Sequence, residues 1–133
     1  MTRRVDVALA WTLLAAFGFL ARVRGGPARA LLLAALRRAS RPQDRPTPES
    51  ARGALAVVAA FRSVPGSHHL ARSCVPRALA LQRLLVLRGL PARVRLGLGA
   101  RRPVEGHAWV ECGGVPVGES PSVVARYRAC ETS

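Results

Sequence analysis

Cys74, His107 and Glu119 are the residues of this chain whose types and spacing suit chemistry. Cys74 stands where a helix begins: Ser73 is a good N-cap, and Pro76 fits a first turn because the N–H it lacks has no intrahelical partner there. The sulfur then lies at the positive end of the helix dipole. A thiolate is stabilised in that position, and the neighbouring N–H groups can hold an oxyanion. His107 opens the strand Gly106–Cys112, and Glu119 ends a strand over Val115–Glu119. Together they offer a nucleophile, a base and an orienter. Each also has a plainer reading. A lone cysteine is usually a small apolar residue, His107 beside Trp109 can be a satisfied core histidine, and Glu119 a solvated strand end.

The turn between the two strands decides whether His107 and Glu119 meet. A three-residue loop, Cys112-Gly113-Gly114, with Gly114 left-handed in a bulge, pairs Glu111 with Val115, Trp109 with Val117 and His107 with Glu119. Opposed residues share a face, with Cβ atoms about 4.5–5.5 Å apart. A two-residue Gly113-Gly114 turn instead sets Glu119 opposite Ala108, on the wrong face. The spacing predicts the three-residue loop.

The elements that must position these groups follow from the apolar pattern. Residues 5–21 read as a helix that is apolar nearly all round, broken by Gly25-Gly26-Pro27. Ala28 to Ala39 forms a second helix, able to make an antiparallel hairpin with the first. The proline-studded stretch 41–48 is a linker between a helical segment, 1–40, and a domain over 49–133. Glu49 to Arg62 is a third helix with Leu55, Val58, Ala59 and Phe61 turned inward. The helix from Cys74 to Arg88 is apolar most of the way round, as a central element is. Ala92 to Gly99 alternates as a half-buried strand, Pro116 marks Val115–Glu119 as a sheet edge, and a short last helix covers Ser122–Ala129. Helices followed by an antiparallel meander make an α+β fold.

Composition narrows the function classes. At 133 residues with half of them hydrophobic, one core is within reach. All 21 basic residues are arginine against 7 acids, for a net charge of +14. They are spread along the chain and not interleaved with aromatics, which argues against a nucleic-acid groove. A basic adaptor for a membrane or an acidic partner remains the non-enzymatic alternative. Three cysteines cannot all pair: a Cys112–Cys130 bridge leaves Cys74 free, but the spacing resembles no secreted disulfide scaffold and favours reduced thiols in a cytosol. The uncharged run Val7 to Ala21 is shorter than the roughly 20 residues of a bilayer span. It reads first as a folded or membrane-skimming helix, with a secretory signal or a short anchor as the alternatives. His68 and His69 lack metal-ligand spacing, so no metal is expected.

Ser-Cys-Val-Pro-Arg-Ala-Leu-Ala-Leu-Gln-Arg-Leu-Leu-Val-Leu-Arg-Gly-Leu-Pro-Ala-Arg-Val (73–94) and Gly-His-Ala-Trp-Val-Glu-Cys-Gly-Gly (106–114) resemble the lasso peptide biosynthesis leader peptidases over about residues 50–128. The resemblance implies a transglutaminase-like, papain-type arrangement of a cysteine helix on an antiparallel sheet. It makes Cys74 the nucleophile and His107 the base. Glu119 falls where that family usually has aspartate, and Val75 where leucine is commonest. It further implies removal of the leader from a ribosomally made precursor peptide in a bacterial cytoplasm. A separate small leader-recognition protein and an ATP-using lasso cyclase act beside it, and the protease itself has no cofactor. Acyl transfer to an amine is the enzymatic alternative, since both reactions pass through a thioester. Arg77, Arg93, Arg95, Arg101 and Arg102 are candidate contacts for a negatively charged leader or partner.

Overall fold

A computed structural model describes residues 2–23, 25–41, 48–64, 74–99, 106–119, 124–125 and 127–130. In chain order its elements are helices α1 (Thr2–Arg22), α2 (Gly26–Ala39), α3 (Pro48–Arg62) and α4 (Cys74–Leu87), then strands β1 (Ala92–Gly99), β2 (Gly106–Cys112), β3 (Val115–Val117) and β4 (Tyr127–Cys130). The strands form one antiparallel sheet in the order β3-β2-β1-β4. This is the expected α+β architecture, with the cysteine-bearing helix against a small sheet. Pro116 lies on the edge strand β3, where its missing N–H costs no ladder bond.

The apolar girth of α4 is used on several sides. Pro76, Ala78, Leu79, Ala80, Leu81, Gln82, Leu84 and Leu85 are all buried, and the helix packs on α1, on β1 and on β2. Each fully buried leucine here contributes roughly 2 kcal/mol. At its end, Leu90 N–H donates to Leu85 O (3.0 Å) and Gly89 N–H to Val86 O (2.9 Å). That closure satisfies the last carbonyls and hands the chain to β1. The buried Gln82 Nε2 donates to Ala92 O at 3.1 Å, tying the helix to the first residue of the strand.

Ala10 and Leu14 of α1 enter the same core as Leu79, Leu84 and Leu85. Asp6 is buried and forms an ion pair with Arg88 just past α4. Among the described residues no helix is long and apolar enough to cross a membrane. In α3, Ala54, Val57, Val58 and Phe61 face the core at a spacing of i, i+3, i+4 and i+7, and Ala60 is buried beside them. Leu55, expected inside, is 70% exposed, because that phase turns it outward, and Ala59 is exposed with it.

On the helix side of the sheet lie Ala92 and Val94 of β1 with Ala108, Val110 and Cys112 of β2. The opposite face carries His107 and Trp109, with Tyr127 of β4 stacked on His107. Gly97 lies opposite His107 in the register. A Cβ built there falls 2.7 Å from Trp109 ring carbons and 2.9 Å from Tyr127 Cβ, so the aromatic cluster occupies the space that a side chain would need. Gly97→Ala is expected to cost about 1–3 kcal/mol by overpacking. Thermal unfolding followed by near-ultraviolet dichroism checks it, and an unchanged midpoint contradicts this packing.

The structure corrects two further expectations, on the β2–β3 turn and on the last segment. The turn between β2 and β3 has two residues, not three: the register is Cys112↔Val115, Glu111↔Pro116 and Val110↔Val117. Both Gly113 (φ 66°) and Gly114 (φ 79°) are left-handed, the pair that a tight hairpin of native twist demands. Residues 127–129, the end of the helix expected over Ser122–Ala129, lie instead in strand β4, whereas Val124 is helical and 122, 123 and 126 lie outside the described residues. Residues 127–130 pair with 96–99 and so complete the backbone bonding along the free edge of β1. Cys112 is a free thiol. In the register it lies level with Ala92, whereas Cys130 lies level with Leu96, some four residues or about 13 Å further along β1. Burial pushes the Cys112 thiol above its ordinary value. Ser73, His68, His69, Arg101, Arg102 and most of the 41–48 linker lie outside the described residues.

Candidate active site

α4 begins at Cys74, which places the residue in a first turn whose backbone N–H groups have no intrahelical acceptor. Proline at 76 is buried in that first turn without losing a bond. Cys74 is half-buried, whereas Cys112 is fully buried in the core. The start of α4, the end of α3 and the β2–β3 hairpin enclose an open pocket of about 270 Å³. Cys74, His107 and Glu119 all line it, together with Phe61, Arg62 and Arg77. The three residues singled out in the sequence are therefore brought to one cavity.

His107 and Glu119 are in direct contact. The imidazole Nε2 lies 2.8 Å from Oε1 and 2.6 Å from Oε2 of Glu119. A carboxylate only accepts, so Nε2 carries the hydrogen and donates it. The remaining ring nitrogen, Nδ1, is left as the basic one. The imidazole plane is held by stacking: Tyr127 lies 4.7 Å away at 28° and Trp109 6.1 Å away at 22°, centroid to centroid. Such offset contacts stabilise a ring in one orientation.

This contact is made by a different route from the one the ladder predicts. With a two-residue turn, continuing the pleat sets Glu119 opposite Ala108. The ladder instead stops at Val117, and Gly118 takes φ 82°. The left-handed residue breaks the alternation, so pairing no longer dictates where Glu119 points, and the carboxylate reaches His107. The glycine that matters for the orienter is Gly118, not Gly114.

Two arginines border the cavity. Arg62, the last residue of α3, donates from Nη2 to Gly118 O at 2.9 Å. The Arg77 guanidinium lies 5.8 Å from the centre of the Phe61 ring, in cation–π range. Of the other arginines expected to meet an acidic partner, Arg95 lies 3.6 Å from Glu111. Arg62, Gly118 and Tyr127 were not legible as site residues. Arg62 and Gly118 stand 56 positions apart, and no motif connects them. Among the described residues no group of three His, Cys, Asp or Glu side chains is placed to hold a metal ion.

The transglutaminase-like superfamily family model matches residues 13–132, and the chain belongs to that superfamily. Its members include cysteine-dependent peptidases and acyltransferases. The match starts within α1 and runs through β4, so it takes in the helices and the sheet alike. Comparison with curated proteins and with solved structures finds no match.

Proposed function

We propose that this chain is a cysteine peptidase that removes the leader from a ribosomally synthesised lasso precursor peptide. The observation that carries the reading is the Nε2–carboxylate contact of His107 and Glu119 in the pocket that also holds Cys74 at the start of α4. It leaves Nδ1 to take the thiol proton. The Cys74 sulfur then attacks the carbonyl carbon of the leader–core bond, and the oxyanion faces the unpaired N–H groups of the first turn of α4. His107, now an imidazolium facing Glu119, gives its proton to the departing amine, and the thioester remains on Cys74. Water, deprotonated by His107, attacks the thioester and frees the leader carboxylate and the thiol.

Superfamily membership supports the nucleophile chemistry. The resemblance of residues 73–94 and 106–114 to leader peptidases supports the substrate. In this reading a separate leader-recognition protein presents the precursor and a lasso cyclase closes the core. The work is done in the bacterial cytoplasm, with any membrane contact made through α1.

The test combines the protein with a lasso precursor peptide and its leader-recognition protein and follows masses, with and without hydroxylamine. The expected products are an intact leader and core whose masses sum to the precursor plus one water. With hydroxylamine present the leader appears as its hydroxamate, the trace of a thioester. Amine incorporation without hydrolysis would make the chain an acyltransferase instead. A precursor left intact under all conditions sinks both readings.

A further inference from the structure

We infer that Arg62 is a positioning residue for the site: through the Gly118 carbonyl it holds the left-handed peptide that brings Glu119 to His107. The inference rests on the catalytic reading above for its meaning, but its geometry stands apart from it. Regular pairing ends at Val117. Beyond that point the sheet no longer fixes the chain, yet the Glu119 carboxylate lies within 2.8 Å of Nε2 through both oxygens. Something must hold the intervening residue. The Gly118 carbonyl is bonded across the pocket to the Arg62 guanidinium at 2.9 Å. On its other side, Gly118 stands so close to Leu81 that an added Cβ would lie 3.0 Å from Cδ2. The peptide is thus pinned between a donor from α3 and an apolar wall from α4.

Arg62 suits this task better than a shorter donor. Its side chain extends from the last turn of a helix anchored by the buried Phe61, Val58 and Val57. A charged donor to a carbonyl makes one of the stronger hydrogen bonds available at a partly open surface. The clamp also links the end of α3 to the tip of the sheet, where α3 packs on β3 and β2.

The experiment compares the parent protein with Arg62→Met, Arg62→Lys and Glu119→Gln, with Arg83→Met on the exposed side of α4 as a control for lost charge. The readout is the ¹⁵N–¹H signal of His107 Nε2 and its exchange with water. Thermal unfolding shows that each variant is folded, and Arg62 is itself exposed. Arg62→Met is expected to speed Nε2–H exchange about tenfold, the consequence of one hydrogen bond of ordinary strength. Glu119→Gln, whose amide oxygen still accepts but carries no charge, should weaken the protection, Arg62→Lys should keep most of it, and Arg83→Met should leave it as in the parent. A folded Arg62→Met with the exchange rate of the parent overturns the clamp. So does Arg83→Met speeding exchange as much as Arg62→Met. The iodoacetamide rate at Cys74 is measured alongside: if His107→Ala leaves it unchanged, the catalytic reading fails, while the clamp still stands or falls on the Nε2–H signal.

Discussion

Cys74→Ala is expected to lower precursor cleavage by at least about 10³-fold, because Cys74 is the thiol that lines the pocket with His107. His107→Ala should lose about 10²–10⁴-fold, the usual contribution of a positioned proton-transfer group. The double variant should lose no more than Cys74→Ala alone, since nucleophile and base act as one unit. Both positions line the same pocket, so losses that multiply would show them working separately. The variants should fold as the parent does. Cys74 is only half-buried at the tip of a helix, and the core leucines of α4 are untouched. Iodoacetamide supplies a second check. It should label Cys74 in the folded protein and reach Cys112 only on unfolding, because burial both hides the Cys112 thiol and keeps it protonated. Cleavage that survives unchanged in Cys74→Ala would remove Cys74 as the nucleophile and sink the cysteine-peptidase reading.

Gly118→Ala is the second large effect, and it acts without removing any reacting group. At φ 82° an alanine costs about 1–2 kcal/mol, and its methyl would press on Leu81 Cδ2 at 3.0 Å. The chain relieves both by leaving the left-handed region, which swings the next residue and takes the Glu119 carboxylate off His107. The expected result is a rate lowered by about 10–100-fold, as two of the roughly 1.4 kcal/mol steps of a tenfold change would do at most, with a modest fall in unfolding temperature. Glu119→Gln should lower the rate less than either Cys74→Ala or His107→Ala, as befits an orienting group. Combining Gly118→Ala with Glu119→Gln should add little, because both break one contact. A stable Gly118→Ala protein that cleaves at the parent rate would separate the left-handed turn from the site.

How far the site was legible can be traced residue by residue. Cys74 before a long apolar helix, with proline two positions on, announces a helix start, since both signals are local. His107 at the front of an alternating strand is equally local. Pairing His107 with Glu119 was the right conclusion from the wrong geometry. The spacing predicts a bulge at Gly114, whereas Gly113 and Gly114 together make a two-residue turn. Two adjacent glycines permit several turns, and the choice among them depends on how the strands twist against the rest of the sheet. The far end of the helix expected over Ser122–Ala129 gives way to strand for a related reason. Its local preference lost to the open edge of β1, which takes up residues 127–130.

The α+β order of elements, the central role of the Cys74 helix and the residue types available for thiol chemistry were all legible locally in the chain. These depend on periodicity, capping and turn composition, which act over a few residues. Only the tertiary structure decided which glycine aims Glu119, that Tyr127 stacks on His107 across Gly97, and that Arg62 reaches the Gly118 carbonyl. Those contacts join residues far apart in the chain. Their energies come from packing and hydrogen bonding between elements, and no local pattern encodes them.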